Sequence, residues 1–502
     1  MRSVVATDGM WFCAAIPRRL YSWAALVSAF LIIITSGCPA VAETLQQALT
    51  DAYLINPVLN SERALLRATD EQVALAKAGL RPFVSGQGDV GFEHERIVTP
   101  KVPPTTVEVP QVMGPPAQIV LPGSGGVSNF TTHPRGVSVQ ATQPLFEGFQ
   151  NLNAIRGAKS TVQAARDSLR SVEQTVLLDA ATAYVNVVRD AAIVRLREND
   201  VTVLTEQLKA TKDRFDVGEV TRTDVAQAEA RRSEAQSTLA AAQAILKTSN
   251  AAYEQTIGHP PGNLETPPSI RGLLPGSLDD AMTLGDGENP LILAAVYQEE
   301  ASLYAVQRVM GELLPTATFE AQYQNRFDES RTLKELETTT LTWRVTMPFY
   351  QGGSVSARVR QAKETNNQLK KEVEDARLRV HADVISNWGI LQSSGPAIAS
   401  AQAAVEANKI ALTGVREEEK VGQRTTLDVL DAQRELLNSQ IGLVTALRDR
   451  VVAEYSLYAA TGRMDAQTLG LPVPYYDPLE HYDIVKNKWF GLRPPPPPAP
   501  DE

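Results

Sequence analysis

Asp428 and Asp431 form the arrangement in this 502-residue sequence with the clearest capacity for electrostatic chemistry. Residues three apart lie on the same face of an α-helix, so the two carboxylates form one acidic patch. If several copies of the chain met around an axis, these patches would favour cations and raise each other's pKa by repulsion. Asp428 also has an alternative, structural role, because Thr425 stands three residues before it, at the spacing of a helix-capping box.

The turn that precedes these aspartates occurs twice in the sequence. Residues 217–225 read VGEVTRTDV and residues 421–429 read VGQRTTLDV, at an offset of 204 residues. A second offset, of 233 residues, relates the Asn-Pro pair at 56–57 to that at 289–290. These matches predict a tandem duplication, with repeats at 43–262 and 278–465. The predicted turn residues are Val217, Gly218, Thr221, Thr223, Val421, Gly422, Thr425 and Thr426.

Long segments poor in proline flank both turns. We predict helices at 148–217 and 219–258 in the first repeat, and at 352–421 and 423–462 in the second. At 1.5 Å per residue these helices would reach roughly 105 Å and 60 Å, which is too long for an ordinary globular domain. Small residues dominate the heptad positions of the return helices, which favours lateral packing in a tubular array. An antiparallel coiled-coil rod is the alternative.

Alternating polar and apolar residues precede the first long helix of each repeat. They predict β-hairpins at about 80–147 and about 313–350, with strands of the kind found in outer-membrane barrels. A water-facing sandwich would show a similar alternation. Four strands cannot close a barrel in lipid, so this interpretation requires two or three copies of the chain. An extra Pro/Gly-rich segment at 98–127 is predicted to be a long irregular loop.

The N-terminal segment of the sequence predicts that the protein is exported. Residues 1–42 have the basic start, apolar run and A-x-A ending of a signal peptide, and both cysteines lie inside it. No other stretch is apolar enough for a membrane-spanning helix. A Pro/Gly-rich linker is predicted at 263–277 and a C-terminal tail at 466–502, ending in polyproline. The formal net charge of −10 argues against nucleic acid as a partner.

Catalysis is not expected from this sequence. Its five histidines are scattered without ligand spacing, and it contains no G-x-S-x-G, P-loop or cysteine cluster. We therefore predict a protein that is not an enzyme and has no cofactor or metal site. A periplasmic coiled-coil tether or adaptor is the alternative class, but it would leave the hairpins and the duplication unexplained.

The leader, the duplication, the hairpins and the paired V-G-x-x-T-x-x-D-V turns together resemble the TolC family of outer-membrane efflux proteins, over about residues 43–465. The resemblance implies a mainly α-helical homotrimer with four membrane β-strands per chain. These would form a twelve-stranded β-barrel in outer-membrane lipid, continuous with a periplasmic α-helical barrel. Its expected partners are a periplasmic membrane-fusion adaptor and an inner-membrane ABC or RND transporter, for type I protein secretion, multidrug efflux or both.

The resemblance also assigns roles at the turns. It places the periplasmic tip of the tunnel there, with Asp428 and Asp431 as an acidic ring at the channel constriction. It implies that Arg424 and Asp224 hold the closed gate. Glu419 occupies the place of a tyrosine of the family, so the bonding of the closed state departs from the family's pattern here.

Overall fold

A computed structural model describes residues 42–495 of the chain. The predicted leader, apart from Ala42, and the last residues of the polyproline tail lie outside this range. The elements of the first repeat are α1 (Leu45–Ile55), α2 (Pro57–Ala78), β1 (Phe83–Val90), β2 (Glu93–Thr99), β3 (Thr105–Val109), β4 (Ala117–Leu121), β5 (Gly126–Thr132), β6 (Arg135–Glu147), α3 (Gln150–Asp216) and α4 (Arg222–Ile257).

The second repeat, which lies wholly within the described residues, has the same order of elements, but it lacks strands that correspond to β2–β5. After a short 3₁₀ turn (Arg271–Leu273), its elements are α5 (Leu278–Glu288), α6 (Pro290–Gly311), β7 (Thr316–Phe327), β8 (Glu335–Thr346), α7 (Ser354–Lys420) and α8 (Thr426–Ala460). A last short helix, α9 (Glu480–Val485), packs against α2. No helix among the described residues is both long and apolar enough to cross a membrane.

The long helices pack as two antiparallel hairpins. Helix α3 lies along α4 and α7 lies along α8, while α3 also contacts α6 and α8. Matching asparagines fix the short helices to these hairpins. Asn56 caps α2 and donates to the carbonyl of Thr256 at 2.8 Å, and Asn289 caps α6 and donates to the carbonyl of Ala460 at 3.0 Å. The shared bonds show that the duplication extends to the packing of the two repeats.

The hairpins of the two repeats join into one antiparallel sheet in the order β1-β6-β7-β8. Strand β6 pairs with β7 from Arg135 opposite Phe327 to Glu147 opposite Thr316, with an irregularity between Pro144 and Phe146. The sheet therefore crosses the repeat boundary, and in one chain β1 and β8 are its two edges.

The segment at 98–127 is not the irregular loop expected from its composition. Strand β2 pairs with β5, and β3 pairs with β4, so the segment continues the first hairpin as a β-ribbon. Threonine and valine between the prolines and glycines supply the β-forming residues for these short ladders, a local preference that the overall composition concealed.

The largest buried core lies where α1, α2 and α3 meet the ends of α4 and α8. Tyr184, Tyr253 and Tyr458 are fully or almost fully buried there. A much smaller cluster of Leu204, Ala235 and Leu430 joins α3, α4 and α8 nearer the turns. Apolar packing is therefore concentrated away from the turns, which depend more on polar contacts.

Candidate functional site

The two predicted turns have nearly the same backbone conformation. Gly218 has φ = 82° and Gly422 has φ = 79°, in the left-handed region that glycine adopts without strain. A Cβ atom on either glycine would meet nothing within 4 Å. The conformation of the backbone, rather than crowding, is what favours glycine here. Val217 and Val421 precede these glycines as the C-caps of α3 and α7.

A complete capping box follows each turn. The Thr425 hydroxyl accepts from the Asp428 backbone N–H at 3.3 Å, and the Asp428 carboxylate accepts from the Thr425 N–H at 2.9 Å. Thr221 and Asp224 make the same reciprocal bonds at 3.3 Å and 2.8 Å. Aspartate thus performs the role that Glu or Gln usually has in this motif.

These bonds set the acidity of the two capping aspartates. Hydrogen bonds from the backbone N–H and hydroxyl of Thr425 lower the pKa of Asp428, and those of Thr221 lower the pKa of Asp224. Within one chain this direction is opposite to the rise expected from repulsion among several copies. The capping role, given as the alternative in the sequence analysis, is the one that the geometry of a single chain shows.

Asp431 has different partners. Its carboxylate accepts from Arg231 Nη2 of helix α4 at 2.9 Å, while Arg434 lies 3.7 Å away on its own helix. Arg231 also bonds Glu234 at 3.0 Å. Because Arg231 belongs to the first repeat and Asp431 to the second, this ion pair connects the two helical hairpins close to the turns.

The bond between Arg424 and Asp224, expected from the family resemblance, is not formed within the chain. Arg424 Nε lies 2.9 Å from Glu418 Oε2, and Asp224 is engaged in its capping box. Both partners are therefore satisfied by residues close in sequence, Arg424 by an acid of the preceding helix and Asp224 by Thr221. A bond between Arg424 and Asp224 of neighbouring chains stays a prediction.

A second ion pair between the hairpins involves Glu419, which stands where the family has a tyrosine. Arg214 Nη1 of α3 lies 3.1 Å from Glu419 Oε1, which also accepts from the Thr426 hydroxyl at 3.2 Å. The Glu419 side chain is only 12% exposed. Sequence reasoning missed this contact. The available signal was an acid at 419 where the 204-residue offset places Phe215 in the first repeat.

The remaining turn residues lie at the start of the return helices. Thr223 is exposed in the first turn of α4, whereas Thr426 is buried at the start of α8. The site therefore consists of two capped turns, two ion pairs that join the hairpins, and a short apolar cluster behind them. It contains groups that can hold helices together and attract cations.

Fold and site together define a class of protein: a membrane channel whose β-sheet continues into long α-helical hairpins. The sequence profile described as Outer membrane efflux protein matches residues 48–259 and 286–463. The chain belongs to the outer membrane efflux protein family. The two matched ranges correspond to the two repeats.

Comparisons with individual proteins agree. The Outer membrane efflux protein BepC of Brucella suis biovar 1 (strain 1330) is 40% identical over 474 residues, which cover 94% of this chain and 97% of that protein. The Outer membrane protein TolC of Escherichia coli (strain K12) is 22% identical over 442 residues, covering 85% and 84%. The outer membrane channel CmeC of Campylobacter jejuni shares the fold, with a TM-score of 0.72, 14% identity, and coverage of 94% and 97%.

These relationships confirm the recognition made from the twin turns and the hairpins. The chain is an outer-membrane efflux channel that extends into the periplasm, and not a non-channel tether or adaptor. Its relatives are channel proteins rather than enzymes.

Proposed function

We propose that three copies of this chain form one exit duct, with a twelve-stranded barrel in the outer membrane and a helical tunnel in the periplasm. The observation that carries the proposal is the sheet β1-β6-β7-β8, in which β1 and β8 are the edges of a single chain. An unpaired edge in lipid costs several kcal/mol for each bare N–H or C=O. Pairing β1 of one copy with β8 of the next removes both edges.

Side chains on alternate positions support a lipid-facing surface. Leu341, Trp343 and Val345 of β8 are 66%, 72% and 72% exposed in the single chain. The sheet register places Leu341 opposite Ala321, and Ala321 opposite Ala141, so apolar residues continue across three strands. An apolar band on alternate residues is the pattern by which transmembrane barrels contact lipid.

We propose a gate at the periplasmic end of the duct. Three copies of Asp428 and Asp431 around the tunnel axis would form an acidic ring that favours cations. We propose that the ring is closed by the ion pairs Arg214–Glu419 and Arg231–Asp431 within each chain, and by Arg424–Asp224 between neighbours. Opening then requires the hairpins of each chain to separate.

The proposed partners are a periplasmic membrane-fusion adaptor and an inner-membrane ABC or RND transporter. Arg222 and Thr223 are exposed at the start of α4, beside the turn, and are the proposed adaptor contacts. A duct of this kind selects its cargo by size and charge rather than by binding in a substrate pocket. We therefore propose both secreted proteins and small molecules as cargo classes.

Cysteine cross-linking between sheet edges tests the assembly, because both native cysteines lie in the predicted leader. Ser85→Cys in β1 is combined in turn with Thr338→Cys, Thr340→Cys or Thr342→Cys in β8, and the protein is oxidised in membranes. At least one pair is expected to give covalently closed trimers. The matched control, Gln87→Cys with Ser138→Cys, joins residues paired within one chain and should leave monomers on denaturing gels. Cross-linked dimers alone, or no oligomer with any pair, would contradict the trimer.

A further inference from the structure

The start of the described chain, helix α1 and the end of helix α4 bring together a histidine and two carboxylates. Within residues 42–495, Glu43, Asp51 and His259 form one group whose ligand atoms all lie within 4.8 Å of one another. Glu43 and His259 are more than 200 residues apart in sequence, so spacing along the chain could not reveal this group.

Second contacts orient two of the three ligands, His259 and Glu43. His259 Nδ1 lies 3.1 Å from the carbonyl of Pro260, so it is the protonated nitrogen and Nε2 faces the carboxylates. The fully buried Tyr253 donates its hydroxyl to Glu43 Oε1, and Tyr184 donates to the Glu43 carbonyl at 2.7 Å. Hydrogen bonds of this kind orient the ligands of metal sites.

His259 Nε2 is within hydrogen-bond reach of Asp51, and the spacing of these atoms is also compatible with shared ligation of one tetrahedral ion. His259 Nε2 lies 3.3 Å from Asp51 Oδ2 and 3.6 Å from Glu43 Oε1. A charge-assisted N–H···O bond is usually about 2.7–2.9 Å. Bonds of about 2.0–2.1 Å to a tetrahedral zinc ion place its ligands roughly 3.4 Å apart. The His259 and Asp51 side chains are 36% and 39% exposed, which leaves a path for the ion and a position for water.

The second repeat has a different arrangement of charges around the position that corresponds to His259, because the 233-residue offset places Gly276 and Leu284 where the first repeat has Glu43 and Asp51. The 204-residue offset aligns His259 with Arg463, which bonds both carboxylate oxygens of Glu288 at 2.8 Å and 3.0 Å. There one fixed positive charge meets one carboxylate. In the first repeat two carboxylates meet one imidazole, so even a protonated His259 leaves a net negative charge within the group. A divalent cation would remove that excess.

We propose that Glu43, Asp51 and His259 bind one divalent transition-metal ion of the Zn²⁺ class, with water as its fourth ligand. One imidazole and two carboxylates form a ligand set suited to zinc, with an open fourth position. The ion joins the start of the described chain to α1 and to the residues that follow α4. It fastens Glu43, which also forms a β-bridge with Leu264, to the largest buried core.

Titration of the full-length channel in detergent with ZnCl₂, followed by calorimetry, tests the site. The protein is exported with its own leader and carries a C-terminal tag without histidine, because Glu43 directly follows the predicted cleavage site. One Zn²⁺ per chain is expected to bind wild type at least about tenfold more tightly than His259→Arg, a loss of the size that even outer ligand contacts cause. His259→Arg is informative because it removes the imidazole ligand and keeps a positive charge beside the two carboxylates.

Two further variants complete the test. Asp51→Asn should weaken zinc binding by the same order, whereas His381→Gln should leave it unchanged. His381 is the matched control because its Nε2 bonds Asp286 at 2.7 Å, and that pair is not among the three-ligand groups of the described residues. Zinc X-ray absorption should show one imidazole in wild type and lose it in His259→Arg. Equal zinc affinity in wild type, His259→Arg and Asp51→Asn would overturn the proposal.

Discussion

Arg231 Nη2 lies 2.9 Å from Asp431 Oδ1 and joins the return helix of the first repeat to that of the second. The nearby acid Asp428 is instead used by its own capping box. Asp431 is therefore the carboxylate whose ion pair with Arg231 depends on whether the two hairpins are together. Separation of the hairpins would free it, so gate opening and the negative charge of the channel are expected to be coupled.

Removal of the arginine should leave the Asp431 carboxylate without its partner on helix α4. Arg231→Gln is expected to strengthen block by a multivalent cation added on the periplasmic side by roughly fivefold, since opposite charges 4 Å apart attract by about 1 kcal/mol in water. The measurement is cation block of single-channel current in a planar bilayer. Arg195→Ala is the control, since the Arg195 Nε donates to the carbonyl of Ala191 on its own helix. Equal block in Arg231→Gln and wild type would remove Asp431 from the conduction path.

The Arg214–Glu419 ion pair is expected to stabilise the closed state by holding the two hairpins together. Arg214→Glu and Glu419→Arg should each raise the resting conductance of the channel, because each places like charges at a 3.1 Å contact. The double exchange should restore most of the closed state, with a coupling of about 0.5–1 kcal/mol for a partly exposed pair. Purely additive effects in this double-mutant cycle would show that the contact does not hold the gate.

The capping threonines should control local stability at the turns. Thr425→Ala removes the acceptor for the Asp428 N–H, and the loss of such a cap costs about 0.5–2 kcal/mol. Amide hydrogen exchange across 417–430 should therefore speed up, with little change in the buried core. Thr445→Ala is the matched control, because the Thr445 hydroxyl donates to the carbonyl of Ile441 within helix α8. Similar exchange near 425 in both variants would exclude a capping role.

Low pH should destabilise the two turns, because protonation of Asp224 and Asp428 weakens the capping boxes. Since hydrogen bonds lower the pKa of Asp224 and Asp428 in the folded chain, their contribution to stability is complete above the unfolded pKa of about 3.9. It is lost as the pH falls through the lower folded pKa. Protection factors, which correct for the intrinsic pH dependence of amide exchange, should fall at both turns below about pH 4 in wild type. In Asp428→Asn the second turn should lose this dependence while the first keeps it. Parallel pH profiles for both turns in the variant would contradict this assignment.

Much of the architecture is readable from local sequence patterns. The twin turns follow from glycine and the Thr-x-x-Asp spacing, and the sheet strands at β7 and β8 follow from strict alternation. The helix ends fall within a few residues of the predicted positions, at Asp216 and Lys420 for the two outgoing helices. These features depend on near neighbours in sequence, so a single sequence contains their signal.

Contacts between distant residues could not be read in this way. Arg231 meets Asp431 and Arg214 meets Glu419 because helices from different repeats pack side by side, and charge alone does not specify which partners meet. The sequence likewise contained no sign that His259 lies beside Glu43 and Asp51, because these residues are far from it along the chain. The prediction of an irregular loop at 98–127 was wrong, because its many prolines and glycines concealed short strands that pair into a β-ribbon.

The central claim, an outer-membrane duct narrowed by an acidic ring, is tested most directly by single-channel recording of Asp431→Asn against wild type. This substitution removes the charge and leaves both capping boxes intact, unlike any change at Asp428. Asp279→Asn, in the exposed first turn of α5, controls for total charge. We expect a cation-selective conductance in wild type and in Asp279→Asn, with weaker selectivity and weaker multivalent block in Asp431→Asn. Identical selectivity and block in all three proteins would contradict it.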